Sequence, residues 1–285
     1  MKRLTLSNSR LGLYTECPRC FWLEINAGIK RPETIFPSLP GGLDLQFKRY
    51  FDQFRDRSEL PPEVKGKLPG ELLSDTQTID RWRDWRRGIR YAPAWADVEV
   101  MGAFDECLVD EADFYYPLDY KTRGYAPKAD THAFYQNQMN LYTLLLEGNG
   151  HKTKRLAYLI YYHPIEVKER GLIQFQVDVR EVPTDPAVAE ALVKDAVAIL
   201  HGPAPVSSSS CGFCRWNSAV LKWEDAPRMN YPAASRGVSS SVLARHSVLD
   251  TESSLALWIP ASAGMTNSRQ AAGNEPPVDS TCKSQ

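Results

Sequence analysis

Two short runs, Gly102-Ala-Phe-Asp105 and Leu118-Asp119-Tyr120-Lys121-Thr122, put charged side chains inside segments that otherwise read as buried strand. Charge within an apolar run is costly unless it is paired or binds metal. A fold that accepts these residues must therefore bring them together. The runs ADVEVMGAFDECLV and FYYPLDYKT, joined by a polar turn at Asp110 to Asp113, read as a hairpin over Ala96 to Lys121. Side chains alternate along a strand, so Asp119 and Lys121 share a face and Tyr120 points the other way. The hairpin can bring Asp105 beside Asp119. An exposed Asp119–Lys121 ion pair would satisfy the D-x-K spacing as well, and it would be worth little. The earlier Gly-x-x-Asp and the helix that follows favour a built site.

That site suits phosphodiester hydrolysis. The phosphate is anionic and repels hydroxide, and a divalent cation neutralises it and acidifies a bound water. Hard cations need converging oxygen ligands. Asp105 and Asp119 supply carboxylates, Tyr120 can offer its backbone carbonyl, and Lys121 can orient the attacking water or stabilise the charge that develops on phosphorus.

The surrounding pattern is mixed helix and strand. A polar-capped helix is expected from Ser7 to Leu23, and a second from about Leu43 to Arg57, with Leu43, Phe47, Tyr50, Phe51 and Phe54 on one face. Pro32, Pro37, Pro40, Gly41 and Gly42 punctuate the chain between them, and Pro61 to Gly70 is a loop. Thr131 to Glu147 reads as a helix, Leu156 to Tyr162 and Leu172 to Val179 as strands, and Pro186 to His201 as an amphipathic helix. Residues 232–285 are rich in Ser, Ala, Gly and Pro and are expected to be a disordered tail beyond a domain of residues 1–231. The segment SSLALWIPASAGMT in this tail resembles peptides translated from dispersed bacterial repeat elements.

On the helix HAFYQNQMNLYTLLLE, Gln138 and Tyr142 are four residues apart and share a face. They can contact phosphates or orient the carboxylates. They can equally be a solvent-facing Gln and a core Tyr. GAFD, LDYKT and QMNLY, in this order, resemble motifs of the RecB-like PD-(D/E)XK nucleases, a family that includes recombinational-repair and CRISPR-associated enzymes. The resemblance covers roughly Leu4 to Trp216. It implies an α/β fold with a restriction-endonuclease-like core, a mixed central β-sheet flanked by helices. It also implies Mg²⁺ or Mn²⁺ on Asp105 and Asp119, Lys121 as the catalytic lysine, and Gln138 and Tyr142 beside the DNA. A further family motif places a metal-facing His or Glu on the early helix. In GGLDLQFKRYFD, Gln46 falls at that place, which departs from the pattern. Glu99 is a possible substitute ligand or a surface strand residue.

Cys17 and Cys20 in ECPRCFWL, with Cys211 and Cys214 in CGFCRW, form two CxxC pairs that can close a Cys₄ site. Such a site accepts Zn²⁺ or a [4Fe–4S] cluster. Cluster-bearing members of the resembling family place one cysteine before the core and three after it. The two-and-two split here leaves both metals open, and the two CxxC pairs favour metal binding over the alternative of buried free thiols. Cys107 is expected in the core, and Cys282 lies in the tail.

RWRDWRRGIR carries five arginines around Trp82 and Trp85. Arg83, Arg86 and Arg87 can meet phosphates while the rings stack on bases. Trp82, Trp85 and Ile89 also have helical spacing and can simply face the core.

Net charge is −1, which neither advertises nor excludes a nucleic-acid partner. The sequence has no long apolar run and no secretory signal, so the expectation is a cytoplasmic protein without a membrane span. It also lacks a GxxxxGK[ST] phosphate loop, so any helicase would be a separate partner. The expected activity is metal-dependent hydrolysis of DNA, at single strands or duplex ends, in DNA repair or CRISPR-related processing. The alternatives are a non-catalytic nucleic-acid-binding module of the same fold and a metal-stapled interaction protein.

Overall fold

The structure, a computed structural model, describes residues 3–32 and 38–224. The expected tail and Cys282 lie outside these residues. Among the described residues the chain begins with a strand, β1 (Leu4–Ser7), just ahead of the expected helix start. Ser7 ends the strand and caps α1 (Asn8–Glu16), its hydroxyl accepting the Arg10 N–H. The single helix expected through Leu23 is in fact two. Cys17 is extended, and Pro18, which has no N–H to continue the ladder, starts α2 (Pro18–Ala27). The next helix, α3 (Ser38–Arg55), begins five residues before the expected Leu43. Pro40 is tolerated there because it sits in the first turn.

After the Pro61–Gly70 loop come β2 (Glu71–Leu72), α4 (Thr76–Arg83) and β3 (Ile89–Tyr91). The long strand expected from Ala96 is split into β4 (Val98–Gly102) and β5 (Glu106–Val109), which belong to different sheets. Two contacts account for the break. A Cβ on Gly102 would come within 2.6 Å of Leu145 and 3.0 Å of Tyr142, so a helix packs directly on the strand end there. The Asp105 carbonyl is taken by Arg83 Nε at 2.8 Å. The expected turn at Asp110 to Asp113 then leads into β6 (Tyr115–Thr122), antiparallel to β5.

A 3₁₀ turn at Thr131–Tyr135 precedes α5 (Gln136–Gly148), which carries the chain to β7 (Leu156–Val167), parallel to β6. This is the helical crossover that parallel strands require. An antiparallel partner, β8 (Ile173–Pro183), follows, then α6 (Pro186–His201) and α7 (Gly212–Glu224). One sheet runs β1-β4-β3 and the other β2-β5-β6-β7-β8.

Period-two alternation sorts the larger sheet into two cores. Tyr116, Leu118 and Tyr120 of β6, with Tyr158, Ile160 and Tyr162 of β7, pack toward Phe47 and Phe51 of α3. Ala157, Leu159 and Tyr161 face the opposite core, built with Met139, Leu141 and Leu145 of α5 and Val193 of α6. Helices therefore cover both faces of a mixed sheet, the architecture of a restriction-endonuclease-like α/β core. Cys107 is buried in the second core, as expected. Among the described residues, no helix is long and apolar enough to cross a membrane.

Candidate active site

Asp119 lies in the middle of β6 on the α5 side, and Asp105 lies in the gap between β4 and β5. The Tyr120 N–H donates to Asp105 Oδ2 at 3.0 Å, which fixes one carboxylate against the strand carrying the other. The Lys121 ammonium forms an ion pair with Asp119 and sits 4.7 Å from the centre of the Tyr135 ring. The structure thus brings Asp105, Asp119 and Lys121 together. The Tyr120 side chain points away, as alternation required, and is buried against Phe51.

Gln138 and Tyr142 are both buried on α5. The Gln138 amide donates to Asp119 Oδ1 at 3.2 Å and to the Tyr142 hydroxyl at 2.6 Å, and that hydroxyl donates to the Ala103 carbonyl at 2.7 Å. One chain of hydrogen bonds therefore links GAFD to the β6 carboxylate through the helix. The Gln138 amide N–H and the Tyr142 hydroxyl are thus engaged inside the protein.

Gln46 is exposed on α3. The residue that reaches the carboxylates is Asp44, about 200° around the helix from it. Lys48, one turn after Asp44, bridges the two motifs: its ammonium lies 2.8 Å from Asp44 Oδ2 and 2.9 Å from Asp105 Oδ1. This corrects the sequence expectation, and a signal was present in it. Asp44 and Lys48 flank Phe47 at i, i+4 spacing, and Phe47 points into the core against Tyr120 and Tyr162. Glu99 is not a substitute ligand, since it pairs with Arg90 on the neighbouring strand.

Arg83 is also displaced from its expected role. Its guanidinium is buried, binds Asp52 at 2.8 Å and pairs with fully buried Glu106, which Arg55 contacts from the other side at 2.7 Å. Arg83 is therefore an internal cation that holds the Asp105 segment, not a phosphate contact. Arg86 and Arg87 are exposed. Arg86 stacks over Trp85 at 4.5 Å, and Arg87 pairs with Asp84. The helical spacing of Trp82, Trp85 and Ile89 does not persist: α4 stops at Arg83 and Ile89 is in β3, although Trp82 does enter the core.

Burial raises the Asp119 carboxyl to about 7, with Lys121 opposing and Asp105 reinforcing the shift. Burial also acts to raise Asp105, but Lys48 and Lys121 outweigh it and hold that group below the usual carboxylate range. Asp44 is raised by burial and by Asp105. Three acids in a desolvated space thus share two ammonium groups, and a further cation would relieve them. Asp119 Oδ2 is buried without a hydrogen bond, facing only its ion-pair partner. Carboxylate oxygens are the donors that Mg²⁺ and Mn²⁺ take. Asp44, Asp105 and Asp119 offer donors of the right chemistry for such an ion, with the Lys48 and Lys121 ammonium groups paired to them in this structure.

The four paired cysteines also converge. Cys17, Cys20, Cys211 and Cys214 are all buried, with their sulfurs within 4.8 Å of one another.

A mixed sheet between helices, with carboxylates and a lysine gathered where its strands diverge, defines a restriction-endonuclease-like protein. Residues 42–219 match the family model of the PD-(D/E)XK nuclease superfamily, and the chain belongs to that superfamily. No curated protein matches it. Among solved structures, the protein SSO0001 is similar with 13% identity over 72% of this chain and 80% of that one, at a TM-score of 0.37. An alkaline exonuclease (LHK-Exo) from Laribacter hongkongensis is similar with 10% identity over 78% of this chain and 93% of that one, at a TM-score of 0.33. The same enzyme in complex with dAMP gives 13% identity, the same coverage and the same TM-score.

Proposed function

We propose that the protein is a Mg²⁺- or Mn²⁺-dependent nuclease that hydrolyses DNA phosphodiester bonds. The carrying observation is the convergence of Asp44, Asp105 and Asp119 with Lys121 in one buried site. In this reading the three carboxylates hold the divalent ion, with the Tyr120 carbonyl as an additional donor. The ion would supply charge neutralisation at the phosphate and a more acidic water. Lys121 places a positive charge beside Asp119, where it orients the nucleophilic water and meets charge developing on the phosphate oxygens. Gln138 holds Asp119 in one rotamer, and Tyr142 ties that rotamer to the Ala103 backbone. A place in recombinational repair or CRISPR-related processing, with a separate helicase, rests on the RecB-like resemblance of the sequence motifs.

A second reading, a DNA-binding module without cleavage, draws on Lys48, whose ammonium already neutralises Asp44 and Asp105. End-labelled single- and double-stranded DNA incubated with Mg²⁺, Mn²⁺ or EDTA separates the two. Cleavage that EDTA abolishes is the expected result. DNA bound but uncut under every metal condition would favour the module.

Two further outcomes follow from the geometry. Asp44→Ala should raise the Mg²⁺ concentration for half-maximal cleavage by at least about tenfold, the lower end of what even an outer partner of a metal ligand contributes. Gln46→Ala should leave it unchanged, and equal effects from both would remove Asp44 from the site. Of the basic cluster, Arg86→Ala and Arg87→Ala should each reduce the slope of log affinity against log salt by about one if each meets one phosphate. A titration of DNA binding across ionic strengths checks this, and slopes equal to that of the parent protein would remove the two arginines from the interface.

A further inference from the structure

The second constellation of ligand-type side chains lies far along the chain from the carboxylates. Cys17 and Cys20 come from the α1–α2 junction and the first turn of α2. Cys211 and Cys214 come from the start of α7. Cys17 Sγ lies 3.6 Å from Cys214 Sγ, and Cys20 Sγ lies 3.7 Å from Cys211 Sγ and 4.0 Å from Cys214 Sγ. The four form a small cluster of their own, with Leu13 packed against it.

Those separations discriminate between occupants. A single tetrahedral Zn²⁺ bonds each thiolate at about 2.3 Å, which places the sulfurs about 3.8 Å apart. In a [4Fe–4S] cluster each thiolate binds a different iron at a different corner of the cube. The sulfurs are then separated by the iron–iron spacing plus the outward spread of the Fe–S bonds, and no pair could approach as closely as the three measured here. The iron–sulfur cluster that the family resemblance implies therefore does not fit this cage.

We propose that Cys17, Cys20, Cys211 and Cys214 hold one structural Zn²⁺. Four thiolates around Zn²⁺ leave a net charge of −2, and Arg31 is placed to offset it. Its Nη2 donates to Cys211 Sγ at 3.3 Å, its Nη1 donates to Glu16 at 2.8 Å, and its guanidinium lies 4.5 Å from the centre of the Phe213 ring. An outer partner of this kind orients a ligand and tunes its basicity. On binding, the four thiols release their protons and no redox change occurs. With all four positions filled by protein, the ion has no open site for water and is structural rather than catalytic. It ties the first two helices to α7.

The test is elemental and spectroscopic analysis of the full chain, purified anaerobically from cells supplied with both iron and zinc. About one zinc per chain, no acid-labile sulfide and a colourless protein are expected. Exchange of Zn²⁺ for Co²⁺ should produce the visible bands of tetrahedral tetrathiolate cobalt. Arg31→Gln, which keeps all four ligands, should release its zinc to a chromophoric chelator at least about tenfold faster than the parent. Iron with stoichiometric sulfide and a brown colour would overturn the assignment, as would folded protein free of both metals. DNA cleavage is scored separately, so failure here leaves the nuclease reading standing, and failure of that reading leaves this one standing.

Discussion

Replacing Lys121 by alanine is expected to lower metal-dependent DNA hydrolysis by about 10²–10³-fold, the effect of removing one preorganised group that meets charge in a transition state. The side chain is well placed for so large an effect. It is mostly buried, paired with Asp119 and braced by the Tyr135 ring, so its ammonium is held in position before substrate arrives. Lys121→Arg should not restore the rate, because a planar fork cannot take the place of a compact point charge. The loss should appear at saturating DNA and saturating Mg²⁺, since the group acts on the reacting phosphate rather than on distant backbone. Single-turnover cleavage beside a binding titration makes the measurement. Cleavage within a few-fold of the parent would show that Lys121 is only the structural partner of Asp119. A fall in affinity that fully accounts for the lost rate would show that it merely binds the backbone.

Glu106→Ala is expected to cost about 3–5 kcal/mol of folding stability, as breaking a buried charge network by removing one member typically does. That corresponds to a fall in Tm on the order of 10 °C for a chain of this size. Glu106 is fully buried between Arg55 and Arg83, and without it two guanidinium groups are left desolvated with only the more exposed Asp52 and Asp80 as acidic partners. Replacing all three members by apolar residues of similar volume should recover most of the lost stability, because such networks are seldom better than good packing. Activity should stay low even then. Arg83 also holds the Asp105 carbonyl, and losing that contact would loosen the backbone that carries this carboxylate, leaving only the Tyr120 N–H and Lys48 to place it. Thermal melts and cleavage rates on the single and triple variants give both readouts. A Glu106→Ala protein that melts with the parent would show that water reaches the cluster and solvates the arginines.

What the sequence made legible was the part that rests on period two and on fixed spacing. Alternation alone placed Asp119 and Lys121 on one face and Tyr120 on the other, and two CxxC pairs announced a four-sulfur cage. The helical spacing of Gln138 and Tyr142 put them on a shared face, but their engagement with Asp119 and Ala103 depends on how α5 crosses the sheet, which no local pattern encodes. The early helix shows a different limit. Aligning a motif by position led to Gln46, whereas the side chain that faces the carboxylates follows from rotation about the helix and belongs to Asp44. Arg83 sits in a stretch that looks like a basic surface patch, and its burial was not readable because its partner Glu106 is carried by a distant strand of the large sheet. The split of the expected long strand into β4 and β5 was hidden for a related reason. Apolar alternation on both sides masks the poor strand formers Gly102, Ala103 and Asp105 at the break, where the helix packs against Gly102.

The cysteine cage joins positions 197 and 191 residues apart in its two tightest contacts, so it spans nearly everything between the first helix and the last. A ribosome delivers the chain from its N-terminus, and domains generally fold as units in that order. The first CxxC pair therefore emerges long before its partners exist, and its thiols stay unmatched while both cores assemble. The second pair arrives only after every strand of the large sheet has been made. By then the intervening chain is already folded, and little loop entropy remains to oppose closure. Both halves of the cage are present together only once the large sheet has been synthesised, so a metal held there would mark a chain made through α7.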